Sequence, residues 1–184
     1  MSKKLKIVSI ASEVAPFSKT GGLGDVAHSL PKAIKKLGHE IIVITPLYEQ
    51  VIDKKKYKLK IIYENINVYL NSEETVTVNY WQAFLTEGLP IYFIDCKKYF
   101  SQKKTLYGST HENARFLIFD VAALKLISLL KFEADIVHCH DWQTGLIPFY
   151  LKTDFRYSKT LRKAKTVYTI HNLVFQLGHN WWDV

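Results

Sequence analysis

The sequence predicts an α/β protein built on a Rossmann-like, doubly wound, mostly parallel sheet with an inserted antiparallel β-hairpin region. Three observations carry this reading. A β-loop-α-β unit fills the first 45 residues, the repeating unit of a parallel sheet. The middle of the chain then changes to Ile-, Val-, Thr- and Tyr-rich stretches typical of hairpins. Beyond it, apolar strands and helical patterns alternate again up to Asn172.

Taken in order, LKIVSI (5–10) is a compact β-branched run and reads as a buried first strand. The loop VAPFSKTGGLGD follows. Val26, Leu30, Ile34 and Leu37 then recur at helical spacing, with Gly38 placed to stop the helix. Pro31 lies inside that pattern and predicts a kink or a break. EIIVIT (40–45) is a second buried strand closed by Pro46. KLKIIYENINVYL (58–70) and TVTVNYWQAFL (75–85), joined by NSEE, read as antiparallel strands. Gly88 turns the chain into PIYFID (90–95), which returns to the main sheet. A long amphipathic helix is expected between His111 and Lys131. DIVHCH (135–140), a helix around 143–152 and TVYTIHN (166–172) complete the alternation.

Composition narrows the class. A chain of 184 residues has room for one domain or a little more, and can bury a core without disulfide or metal staples. With 48% hydrophobic and 23% charged residues it is neither a disordered tail nor a membrane protein. MSKKLKIVSI lacks the apolar region of a signal peptide. Cys96 and Cys139 lie far apart and form no CxxC, which fits free thiols in a reducing cytoplasm. The expectation is a cytoplasmic α/β domain with no membrane partner. Its net charge of +8 favours either nucleic acid or anionic small molecules. No helix-turn-helix, zinc-finger or RNP pattern accompanies the lysine runs, so nucleic acid is not expected as a partner.

In open parallel sheets, ligands sit outside the carboxyl ends of the strands. Three segments fall there: Glu13 with KTGGLGDV (19–26), HCHDWQTG (138–145) and IHN (170–172). Gly21, Gly22 and Gly24 let backbone approach a ligand, the following helix N-terminus attracts anions, and Lys19 adds a mobile charge. Glycines for a tight strand-to-helix turn explain the same loop. Lys19 and Asp25 flanking it favour diphosphate or sugar-diphosphate binding. His138 and His140 share a strand face, the i, i+2 arrangement of some metal sites. The HxHxDH continuation is absent, so no metal is expected. His138 reads as a strand histidine satisfied by backbone. His140 and Asp141, at the strand's carboxyl end, read as site residues, with Asp141 and Thr144 near enough to cap the next helix and leave the His140 ring free to face a ligand.

These motifs resemble bacterial glycogen synthases and plant starch synthases. The similarity runs from about Lys6 to Gln176, and SEVAPFSKTGGLGDV is its most specific signature. The resemblance implies a retaining glucosyltransferase of the GT-B type, with two facing Rossmann-like domains. Such an enzyme moves glucose from the donor substrate ADP-glucose to the non-reducing end of an α-1,4-glucan, without a cofactor. Residues 1–184 would be the N-terminal domain, incomplete at its C-terminal end. Its partners would be the nucleotide sugar, the glucan and a C-terminal domain of the same protein, without which the fragment is expected to be inactive.

Carried over by position, Lys19 matches the lysine near the donor phosphates, and Gly21 and Gly22 match the loop under the diphosphate. His140 matches the histidine that contacts the transferred glucose, and is the expected catalytic residue. Asp25, Asn113, Arg115 and the pair His171-Asn172 match positions lining or buttressing the cleft, with Asp141 beside them. Tyr107 corresponds to an aromatic contact near the donor. The family continues with Gly after a segment like HNLVFQ, whereas Leu177 stands here. Residues 177–184 read as an altered frame, a truncation scar or a divergent loop. The alternatives are another GT-B sugar transferase or a non-catalytic glucan-binding fragment.

Overall fold

A computed structural model describes residues 3–70, 74–101, 104–108 and 112–174. Its seven strands are β1 (Lys6–Ile10), β2 (Glu40–Pro46), β3 (Lys60–Tyr69), β4 (Thr75–Thr86), β5 (Leu89–Asp95), β6 (Ile136–His140) and β7 (Lys165–Thr169). They form one sheet in the order β3-β4-β5-β2-β1-β6-β7. From β5 to β7 every neighbour is parallel, while β3, β4 and β5 pair antiparallel. This is the mostly parallel sheet with an inserted hairpin that the sequence predicts. The described helices are α1 (Gly22–Lys36), α2 (Lys97–Phe100), α3 (Glu112–Leu129) and α4 (Ile147–Lys152), with a 3-10 turn at Trp142–Thr144.

β1 is central because its residues are apolar on both faces. Val8 and Ile10 are fully buried in the main core, while Ile7 joins Ile41 and Leu89 in a second cluster against which Ile34 of α1 packs. The chain leaves β1 toward β2 on one side and later returns from β5 to β6 on the other. Right-handed crossovers running in opposite directions put α1 and α3 on opposite faces.

Two local expectations change. α1 runs through Pro31 unbroken; Pro31 is buried, and packing outweighs its missing N–H. The helix stops where expected, with Gly38 at φ 90°. α3 is not amphipathic in the ordinary sense. Twelve of its 18 residues are buried, since it is covered by strands on one side and by the 3-10 turn and α4 on the other. His111, most of the NSEE turn and residues 175–184 lie outside the described residues, so the readings of the helix start and of the chain's ending fall there. No described helix is long and apolar enough to cross a membrane.

Candidate functional site

Strand order reverses at β1, which has β2 on one side and β6 on the other, and the crevice of such a sheet opens beyond the carboxyl ends at this point. The chain leaves β1 into Ala11-Ser12-Glu13, β6 into Asp141, and β7 into Ile170-His171-Asn172. The topology therefore gathers the three segments singled out by sequence. The Asp141 N–H donates to Thr169 O at 2.9 Å, adding a rung to the β6–β7 ladder. The His171 N–H then donates to Asp141 Oδ1 at 2.6 Å.

His140 is fully buried. Its Nε2 lies 3.2 Å from Ser9 Oγ and its Nδ1 lies 2.9 Å from His171 Nε2. The expectation of a ring standing free at the strand end is therefore corrected: β6 is an interior strand, and Ser9 and His171 close over the imidazole from either side. Burial, with His138 and His171 as neighbours, pulls the His140 imidazole down to about 3. Near neutrality it carries one donor and one acceptor. Either Nδ1–H donates to His171 and Nε2 accepts from Ser9, or both bonds run the other way. His138, one pleat back, places Nε2 2.8 Å from Thr169 Oγ1. That is a side-chain partner rather than the backbone satisfaction expected of it, and burial lowers its pKa as well.

Asp141 adopts φ 58° and ψ 179°, a region nearly exclusive to glycine and costly for other residues. Its side chain caps no helix, as does none at the 3-10 turn, against the expectation. The N–H of His171 at the exit of β7 takes the carboxylate instead. Thr144 Oγ1 bonds back to His140 O and Asp141 O, each at 3.0 Å. The sharp turn after β6 is thereby held from both sides.

Across the crevice, Gly21 is the N-cap of α1 and no side chain caps it. The first N–H groups of this 15-residue helix and the open space above Gly22 suit an anion. Lys19 Nζ lies 2.7 Å from Asp25 Oδ2, both about half exposed, so Asp25 holds the lysine at the loop mouth. Gly24 has another role: it is buried, and a Cβ there would meet Lys19 Cγ at 3.0 Å. It lets Lys19 lie flat on the helix rather than letting a ligand approach.

Of the remaining predicted residues, Tyr107 forms a wall beside the exit of β1. Tyr107 OH lies 2.8 Å from Ser12 Oγ, and Tyr48 OH donates to Ser12 O at 2.8 Å. Burial and the charge of Glu13 raise the Tyr107 phenol, so it stays protonated. Arg115 is buried, donates Nε–H to Tyr99 O at 2.9 Å and lies over the rings of Tyr48, Phe100 and Phe116. Arg115 therefore braces Tyr99 and the rings around it from within the core. Asn113 is half-buried in the first turn of α3. Asn172 is exposed and its Oδ1 accepts from the Val174 N–H at 2.8 Å. No cluster able to hold a metal ion occurs among the described residues.

The model of the starch synthase catalytic domain family matches residues 6–184. The chain belongs to that family. It is 42% identical over 176 residues to a glycogen synthase of Moorella thermoacetica, covering 96% of this chain and 35% of the relative. A glycogen synthase of Photobacterium profundum is 40% identical over 178 residues, covering 94% and 34%. Among solved structures, the catalytic domain of starch synthase IV from Arabidopsis thaliana, bound to ADP and acarbose, superposes with a TM-score of 0.84 at 32% identity, covering 95% of this chain and 35% of that one. The chain thus spans about a third of the length of the relatives it matches. Its α/β fold, matching part of a GT-B starch synthase catalytic domain, agrees with the sequence reading.

Within this starch synthase fold, the sequence reading missed the residues that hold the site residues in place. Ser9 is the partner of His140, and Thr20 is the partner of Glu13 through N–H and hydroxyl at 2.5 and 2.9 Å. Ser9 left a trace, being the one polar residue in the buried run Ile7–Ile10. Thr20 left none, since its role depends on the loop folding back on Glu13.

Proposed function

We propose that this chain is the N-terminal Rossmann-like domain of a cytoplasmic glycogen (starch) synthase. The enzyme transfers glucose from ADP-glucose to the non-reducing end of an α-1,4-glucan with retention, and a second domain completes its active site. The observation that supports this most is the 42% identity to a glycogen synthase over a match that spans 96% of this chain.

On this reading, Lys19 and the uncapped N-terminus of α1 receive the diphosphate beside Gly21 and Gly22. Such pre-oriented donors stabilise charge developing on a leaving group without a cofactor. His140, kept neutral by burial and with both ring nitrogens held by Ser9 and His171, orients the transferred glucose through the exposed His171. Tyr107 flanks the donor, with Arg115 and Asn113 behind it, while Asp141 and Asn172 shape the β6 and β7 exits. The partners are then a nucleotide sugar and a glucan; neither nucleic acid nor membrane is one.

Incorporation of labelled glucose into glycogen by the full-length enzyme tests the reading, with ADP-glucose and UDP-glucose compared as donors. ADP-glucose-dependent elongation is expected from the full-length protein and none from the 184-residue chain alone. Glucan binding without turnover by the full-length protein would favour a non-catalytic role.

A further inference from the structure

Glu13 is only 2% exposed, yet half of its carboxylate is unused. Oε2 accepts both the Thr20 N–H and the Thr20 hydroxyl. No hydrogen bond reaches Oε1 among the described residues, and Oε1 is not one of the sealed, partnerless oxygens. It lies 3.9 Å from where a Cβ of Gly21 would stand, facing the side of the loop that Gly21 leaves bare. Its charge is felt at the phenols of Tyr107 and Tyr48, where it reinforces the effect of burial. Glu13 therefore sits on the crevice floor between the glycine loop and the Tyr107 wall.

Oε1 is not sealed and has no protein partner among the described residues, so this acceptor on an otherwise buried carboxylate is open to a donor that enters the crevice. Phosphate oxygens are not donors and are repelled by this charge, so the diphosphate-binding elements and Glu13 have opposite preferences within one crevice. The groups that suit Oε1 are neutral and carry O–H. We propose that Glu13 is a sugar-binding residue, its free Oε1 accepting hydrogen bonds from pyranose hydroxyls while Thr20 fixes the carboxylate. This deepens the functional reading above and rests on it.

Two sources offer such hydroxyls, the glucose of the donor and the terminal glucose of the glucan. Titration calorimetry on the full-length enzyme, wild type and Glu13→Gln, separates them with three probes: ADP, ADP-glucose and maltoheptaose. Glu13→Gln keeps the side-chain shape but loses the charge. Either maltoheptaose or ADP-glucose should bind about ten- to a hundredfold more weakly, while ADP stays within about twofold. Loss on maltoheptaose assigns Oε1 to the acceptor, and loss on ADP-glucose assigns it to the donor sugar. Wild-type affinity for both sugars, or an equal loss for ADP, overturns the proposal. Should Glu13→Gln melt early and fail to fold, Thr20→Val removes one tether and should weaken the same sugar several-fold; no change there also overturns it. A wild type that binds neither donor nor glucan instead removes the functional reading itself, before any variant is compared.

Discussion

Ser9 Oγ and His140 Nε2 stand 3.2 Å apart across the β1–β6 pair, although the backbone register sets Ser9 beside His138. The side chains lean along the strands to meet, and this contact restricts the ring that the sequence marks as catalytic. Ser9→Ala leaves a buried ring nitrogen without its partner, at a cost of about 1–3 kcal/mol. It also leaves the ring less firmly positioned, so kcat should fall more than donor affinity. Denaturant unfolding and steady-state kinetics of the full-length enzyme check both, and nitrogen chemical shifts of His140 should move with them. Unchanged shifts and unchanged kcat would show the contact to be idle.

Lys19 and Asp25 are each about half exposed, so their ion pair adds little to stability. Lys19→Ala should leave the melting temperature nearly unchanged. If the lysine meets the donor phosphates, ADP-glucose binding should lose roughly 1.5–3 kcal/mol. Calorimetry giving the wild-type dissociation constant would contradict that role.

Acid should weaken the fold through the histidines. His140 titrates near 3 when folded against an ordinary value of 6.5, so below the ordinary value the unfolded chain binds the extra proton. The stabilisation is complete above about pH 6.5 and is lost as pH falls toward 3. The slope is at most about 1.4 kcal/mol per pH unit for one group. His138 is shifted in the same direction and adds to it. His140→Asn in the full-length protein should flatten this acid limb in unfolding curves. A limb equally steep in the variant would assign the acid sensitivity to other groups.

The backbone at Asp141 makes glycine and alanine unequal replacements. Both lose the bond to the His171 N–H, but only glycine is at ease at φ 58°. Asp141→Gly should therefore be more stable than Asp141→Ala by about 1–3 kcal/mol. Unfolding free energies in the reverse order would mean that the turn relaxes in the variants.

The legible part of this protein is what repeats locally. β1, β2 and β6 announce themselves by β-branched runs, and Gly38 by its position at a helix end. The crevice follows from the alternation of elements, since Glu13, His140 and His171 each stand at or just beyond the carboxyl end of an expected strand; the reversal of strand order at β1 is seen only in the fold. What the sequence hides is the side chain's choice among partners at long range. Asp141 looks like a helix cap until an N–H from β7 competes for its carboxylate. Likewise, nothing local says that Ser9 and His171 will close over His140. α3 departs from its expected pattern for a similar reason: periodicity records one apolar face, whereas a second layer formed by the 3-10 turn and α4 buries the other.

β7 hydrogen-bonds along one side only among the described residues, to β6. Among the described residues no strand pairs with its other side, beside Val167 and Tyr168, which are 43% and 39% exposed. Such a border invites another strand to add to it. For the experimenter this is a question of handling: prepared as an isolated piece, this stretch of sequence will tend to precipitate or to build sheet between molecules. Low concentration, or charged residues introduced along that border, should keep it monodisperse.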